Sequence, residues 1–339
     1  MRYAPVNKPK LPLSLFDRVI GRPRAPWVTL AVAALLYATA LAITYAEVGV
    51  DALFAEAYWR SRLFPPTIIT YILLVSPALG RMSEEVLDAF RPLLAIDEDE
   101  FDRLIHQTAT IPRRGEWIAI AVGTIVGVVP PLTAIDATPV WLTVYQALFA
   151  GATNALLAWV AYVSVIDTRW ITALLRQPLH FHPLDPSPFR AVGRQSLAIA
   201  LSFVGGISLS LLFVLFQPDA TLSPLFWLPN IPLALVPIIV FYLNMQPTHR
   251  VLLAAKKAEL KKVRRRVVEA YEQMLPAMES GDNLLGTSIA LDALVAYETR
   301  LSAARTWPYN TEMLRTLLLS VLLPIGVTFL RTLIDLLLG

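Results

Sequence analysis

Arg331 and Asp335 stand four residues apart inside an otherwise apolar stretch that runs from Thr311 to Leu338. That spacing places both on one helix face, where guanidinium and carboxylate can pair. A charge in the middle of a lipid core costs roughly 2.5 to 3.5 kcal/mol on insertion scales, so their depth decides their role. With the core beginning near Thr316, both reach the far interface and snorkel, and Arg315 anchors the near boundary. Several copies of the same helix around an axis would instead make Asp335 a ring of carboxylates, which concentrates cations at a pore mouth.

Other chemistry is sparse. Cysteine is absent, which removes disulfides, thiolate metal sites and cysteine nucleophiles together. The four histidines are scattered, and the one close pair, His180 and His182, lies in the proline-rich run Gln177 to Pro188, where a bend is the simpler reading than a metal site. The acidic run Asp97 to Asp102 lacks the alternation and the glycine of a calcium loop and reads as a helix cap. No acid, base, nucleophile and metal set converges anywhere, so no catalytic, cofactor-binding or metal residue is assigned and an enzyme is not expected. No motif points to nucleic acid.

These residues need a scaffold, and the composition names its class. Of 339 residues, 56% are hydrophobic and only 16% charged, against about 25% charged in a soluble domain. The chain reads as an all-α polytopic membrane protein with about seven spans. They are Trp27–Ala46, Phe64–Gly80, Trp117–Ile135, Val140–Ile166, Arg194–Phe216, Phe226–Asn244 and the last one in 310–339. Residues 1–26 form a basic arm, and the first span is preferred to a cleaved signal ending near Ala40-Leu41-Ala42 because its apolar run continues past that point. Glu47 to Leu63 reads as an outer loop with an interfacial helix, and Pro65-Pro66 as the start of the second helix. Pro229, Pro232 and Pro237 should interrupt the sixth span, and Gly123 and Gly127 permit close helix approach, with packing inside the chain the simpler use.

Charge asymmetry sets an orientation. The arm, the loops 81–116 and 167–193 (with Arg194 at the edge), and the segment 248–309 hold 25 of the 29 Lys and Arg, while the other loops hold only Arg60 and Arg62. Basic residues beside short spans stay inside, so the N-terminus is expected in the cytoplasm and the C-terminus outside, in a plasma or inner membrane. Segment 248–309 then becomes a cytoplasmic helical hairpin, Arg250–Leu275 and Leu284–Ala304, turning at Gly281-Asp282-Asn283. Seven basic residues between Lys256 and Arg266 give it a face suited to water or anionic headgroups. Leu260, Val263, Val267 and Leu294 make an apolar side that a single copy would leave wet, and they are the candidate assembly residues.

Seven spans, an internal N-terminus, long cytoplasmic helices and a hairpin before the last span resemble the seven-helix ion channel superfamily that includes insect odorant and gustatory receptors. In its last helix that family carries Thr-Tyr, five apolar residues, then Gln-Phe. Here Thr328-Phe329 is followed by Leu330 to Ile334 and then Asp335-Leu336, with Arg331 interrupting the apolar five. The resemblance implies a homo-oligomer, a tetramer in that family, whose pore is lined by the last helix, with Thr328, Phe329, Arg331 and Asp335 as candidate pore-lining residues. It also implies a small-molecule ligand that opens a cation pathway. The stretch from Leu184-Asp185-Pro186 to Arg194 and the Trp307-Pro308 re-entry are similar to uncharacterised bacterial membrane proteins, which adds no function. Two other classes fit the same plan: a non-conducting sensor or scaffold using the hairpin, and a small-solute transporter using Gln146, Asn154 and the proline-rich sixth span.

Overall fold

The computed structural model describes residues 26–53, 56–94, 96–133, 140–214, 224–280, 285–307 and 311–338. The basic arm, residues 134–139, the expected turn at Gly281-Asp282-Asn283 and Pro308-Tyr309-Asn310 lie outside them. The described chain is all-α: α1 (Pro26–Leu53), α2 (Glu56–Phe90), α3 (Glu98–Ala109), α4 (Arg113–Thr133), α5 (Val140–Leu175), α6 (Arg190–Val214), α7 (Pro224–Ser280), α8 (Leu285–Ala303) and α9 (Thr311–Leu338). Among the described residues six stretches, in α1, α2, α3–α4, α5, α6 and α9, are long and apolar enough to cross a membrane. Apolar side chains such as Leu30, Ile118, Leu148 and Leu322 are exposed along them, which suits lipid and would be a liability in water.

Several helices outrun the bilayer. At 1.5 Å per residue the 57 residues of α7 span about 85 Å, against a hydrocarbon core of about 30 Å. The expected break at its prolines does not occur, and the helix is continuous through Pro232, Pro237 and Pro247. Likewise α2 joins the expected outer segment, the second span and the following polar helix into one rod through Pro65, Pro66 and Pro77. In lipid a broken helix would strand more backbone groups than a single missing N–H does, so a continuous helix is the cheaper solution. Pro66 cannot donate to the Arg62 carbonyl, and the Tyr145 hydroxyl lies 3.5 Å from that oxygen. The Arg62 guanidinium, in a residue only 7% exposed, pairs with Glu47. Two residues read as loop charges therefore form a largely buried bridge between α1 and α2.

The largest core is shared by six helices. It gathers the C-terminal ends of α2 and α5, α3, the start of α6, the middle of α7 and the start of α9, around Phe90, Trp170, Leu174, Phe189, Met245 and Leu317. Phe189 meets Phe90 edge-on at 5.4 Å and Phe181 at 4.9 Å. Lipid tails solvate apolar helix faces as well as protein does, so the water-driven part of burial acts on the ends that leave the membrane, while a smaller cluster of Ile68, Ile69, Ile72, Leu73 and Leu156 packs within the spans. The acidic run does cap a helix: Asp97 accepts from the Glu98 amide at 2.9 Å, and α3 then buries Phe101 and Ile105. Between α4 and α5 the approach is backbone to backbone, and Gly123 and Gly127 face the Asn154 and Ala150 carbonyls. That glycine pair is therefore used inside one chain.

Candidate functional site

The last helix lies at the edge of the bundle. α9 packs on α6 and α7 along one stripe that includes Leu317, Val321 and Thr328. Leu319, Leu322, Leu323, Val327, Leu330 and Leu333 are left uncovered on its other sides. Of the candidate pore-lining residues, Thr328 is 1% exposed, and its hydroxyl donates to the Pro324 carbonyl at 2.8 Å. Phe329 is 60% exposed and Arg331 is exposed too. Adjacent helical residues point about 100° apart, so Thr328 turns into its own bundle while Phe329 turns out. Asp335 is in the helix, and its side chain lies outside the described residues.

The hairpin departs from its expected wetness. α8 packs along the second half of α7, so that Val263 is only 3% exposed and Leu291 and Leu301 are buried as well. Leu260, Val267 and Leu294 are half-buried. The candidate assembly residues are thus covered largely within one chain, because the two amphipathic helices face each other. What stays exposed lies further out, at Val268, Tyr271, Leu275, Ile289 and Val295.

Polar contacts hold this arrangement. Arg264 pairs with Glu298 at 2.8 Å, and the Lys256 ammonium donates to the Ser302 and Ala304 carbonyls at 2.6 and 2.8 Å. A cation there satisfies carbonyls that the end of α8 leaves without helical partners. Lys262 and Arg265 pair with Glu259 and Glu269 along α7. His182, in the loop before α6, lies 3.2 Å from the Tyr297 hydroxyl of α8. Burial, then the Glu259 charge, raises the Tyr297 pKa above the usual phenol value. Trp307 stacks on His249, with ring centroids 3.9 Å apart and planes within 9°, and this fixes where the hairpin hands over to α9.

Two spaces open between the helices. An apolar cavity of about 270 Å³ lies between α2, α5 and α6, walled by Ile68, Ile72, Val160, Ile199 and Phe203. Tyr71 crosses one side, where its hydroxyl donates to the Ser202 carbonyl at 2.8 Å, and Gly205 leaves room for its ring. A recess of about 630 Å³ lies between α5, α6 and α7, with Arg169 and Arg176 among its walls. The sequence did not single out Tyr71, whose partner is 131 residues away. Arg169 and Arg176 entered only as part of the basic loop 167–193, although their seven-residue spacing was a usable signal.

The polar residues considered for transport are partly engaged with their own helices. The Asn154 amide donates to the Ala150 carbonyl at 2.9 Å. Buried polar contacts that the sequence did not single out are Gln195 to Ser83 at 2.8 Å, Trp159 to Glu116 at 3.0 Å, and Thr168 to Asn244. His180 follows an isolated antiparallel bridge between Leu94 and Leu179, where its amide donates to the Leu93 carbonyl at 2.7 Å, and the His182 carbonyl accepts from the Asp185 amide at 2.8 Å across the turn at 183–184. Among the described residues no group of three or more His, Cys, Asp or Glu could hold a metal ion. No protein-family description, curated protein or solved structure matches this chain.

Proposed function

We propose that this protein is an oligomeric membrane channel in which α9 of each subunit borders a central cation pathway. The observation that supports this most is the position of α9, buried along one stripe and uncovered over the rest of its apolar surface. A last helix at the bundle edge is free to meet copies of itself. In this reading Phe329 narrows the pathway, Thr328 fixes the helix to its own subunit, and an Asp335 ring at the outer mouth attracts cations. On the same reading the first part of α7, residues 226–244, is the sixth of seven spans, and the charge asymmetry of the loops supports an N-terminus and hairpin inside and a C-terminus outside. The apolar cavity beside Tyr71 is the site for a small apolar ligand that shifts α2 and α5 against α6. The similarity of plan to the receptor-channel superfamily belongs to this proposal.

Reconstitution of the purified protein in planar bilayers tests it. Cation current is expected, lowered by Asp335→Asn and changed in leak or gating by Phe329→Ala. A reporter after Gly339 should be outside and one at Gly281 inside. Folded, reconstituted oligomer that passes no current with any ligand or voltage overturns the channel reading. The exposed patch at Val268, Tyr271 and Leu275 favours a scaffold in that case.

A further inference from the structure

We infer that the recess between α5, α6 and α7 holds an anionic phospholipid from the leaflet on the hairpin side, its phosphate on Arg169, its headgroup towards Arg176 and its acyl chains against the apolar half. The wall changes character along α5. One end is built by Ala161 and Val165 with Phe203, Val236 and Val240 from α6 and α7, and the other by Thr168, Arg169, Thr172 and Arg176. Arg169 lies in the last two turns of α5 and Arg176 directly follows the helix end at Leu175, about 10 Å further along the axis. Both are exposed, and among the described residues neither forms an ion pair, unlike Arg91, Arg194 and Arg264.

The depth is right for a headgroup. The Tyr162 ring packs against Gly115, and its hydroxyl lies 3.5 Å from the Pro112 carbonyl. Residue 162 of α5 is therefore level with the start of α4, where the exposed Arg113 and Arg114 end the apolar surface. Arg169 lies about 10 Å further along and Arg176 about 20 Å, and the polar layer of a bilayer adds about 5 to 7 Å beyond the core on each side. The long side chain of Arg169 reaches back to phosphate depth, and that of Arg176 reaches back towards the outer part of the headgroup. Guanidinium groups bind phosphate oxygens through paired N–H bonds. A free phosphate would not need the apolar half, and an uncharged chain would not need the arginines. Asn244, held by the Thr168 hydroxyl, lies where one half meets the other. Exposed Val165 and Leu243 on the rim leave the recess open to lipid.

The test is native mass spectrometry of the delipidated full-length protein titrated with phosphatidylglycerol or with phosphatidylcholine of the same acyl chains. At the usual contribution of a basic residue near a membrane surface, two arginines should favour the anionic lipid about 30-fold. The double variant Arg169→Gln, Arg176→Gln should bring the two lipids to similar affinity. The same charge change on the hairpin, Lys261→Gln with Arg266→Gln, should leave the preference intact. Val240→Trp, which fills the apolar half and keeps both arginines, should weaken phosphatidylglycerol binding. Equal binding of both lipids by the native protein, or a preference that survives the double arginine variant, overturns the inference. So does displacement of the lipid by inorganic phosphate alone, which would mark a site for free anions. The inference stands apart from conduction, since binding is read in protein that carries no current.

Discussion

Adding one methyl group at Gly127 should destabilise the α4–α5 pair without changing how copies of the chain associate. A Cβ built there would lie 2.2 Å from the Ala150 carbonyl oxygen, 2.6 Å from its carbon and 2.8 Å from the Gly151 Cα. Ordinary contact begins at 3.4 Å, so the helices must separate by more than an ångström, and every atom in the way is backbone that cannot rotate aside. Overpacking of this kind costs about 1 to 3 kcal/mol. Alanine regains about 1 kcal/mol over glycine in a helix. Because the obstruction is rigid, the upper part of the overpacking range applies, and Gly127→Ala should lose about 1 to 2 kcal/mol net. Gly80→Ala is the matched control: nothing lies within 4 Å of its Cβ position, so the propensity gain is unopposed and the variant should be slightly more stable. Reversible unfolding in mixed micelles gives both values, and light scattering gives the mass. If Gly127→Ala behaves like Gly80→Ala, or if it dissociates an oligomer while leaving the subunit's stability unchanged, the glycines face another subunit and the packing argument fails.

Trp159→Phe should lower stability by about 1.5 to 3 kcal/mol, because it withdraws an indole donor from the carboxyl of Glu116, a residue only 1% exposed. A loss below about 0.5 kcal/mol in the same unfolding assay would mean that this hydrogen bond is readily replaced. Asp185 gives a pH signature in the loop before α6. The Ser187 hydroxyl and amide hold its pKa below the ordinary carboxylate value, the amide donating at 3.1 Å. A depressed carboxyl stabilises its turn above the unfolded value and loses that contribution as pH falls through the folded one. Hydrogen exchange of the Ser187 amide should therefore speed up, beyond its intrinsic pH trend, as the pH is lowered through the acidic end of the carboxylate range. Asp185→Asn should abolish that extra dependence, and an unchanged profile in the variant would remove Asp185 as its source.

What the sequence determined by itself was everything that a bilayer reads locally. The apolar runs around Val32, Ile69, Val126, Leu156 and Val321, the acidic cap at Asp97, and the helix pair after Arg250 are each set within a short window, because span length follows from membrane thickness and a cap from its own turn. Proline misled for a related reason. Pro66 and Pro237 signal breaks in water, but the lipid setting makes a continuous helix preferable, and residues distant in the chain, such as Tyr145 beside the Arg62 carbonyl, help to meet the freed group. Apolar composition also could not say which side of a membrane helix meets protein, since lipid accepts the same residues. Only the tertiary structure turned Thr328 inward and Phe329 outward, covered Val263 with α8, and moved Glu47 and Arg62 from a loop into a largely buried pair. Each of those outcomes depends on contacts between helices far apart in the chain, and no local pattern of residues specifies which helices will meet.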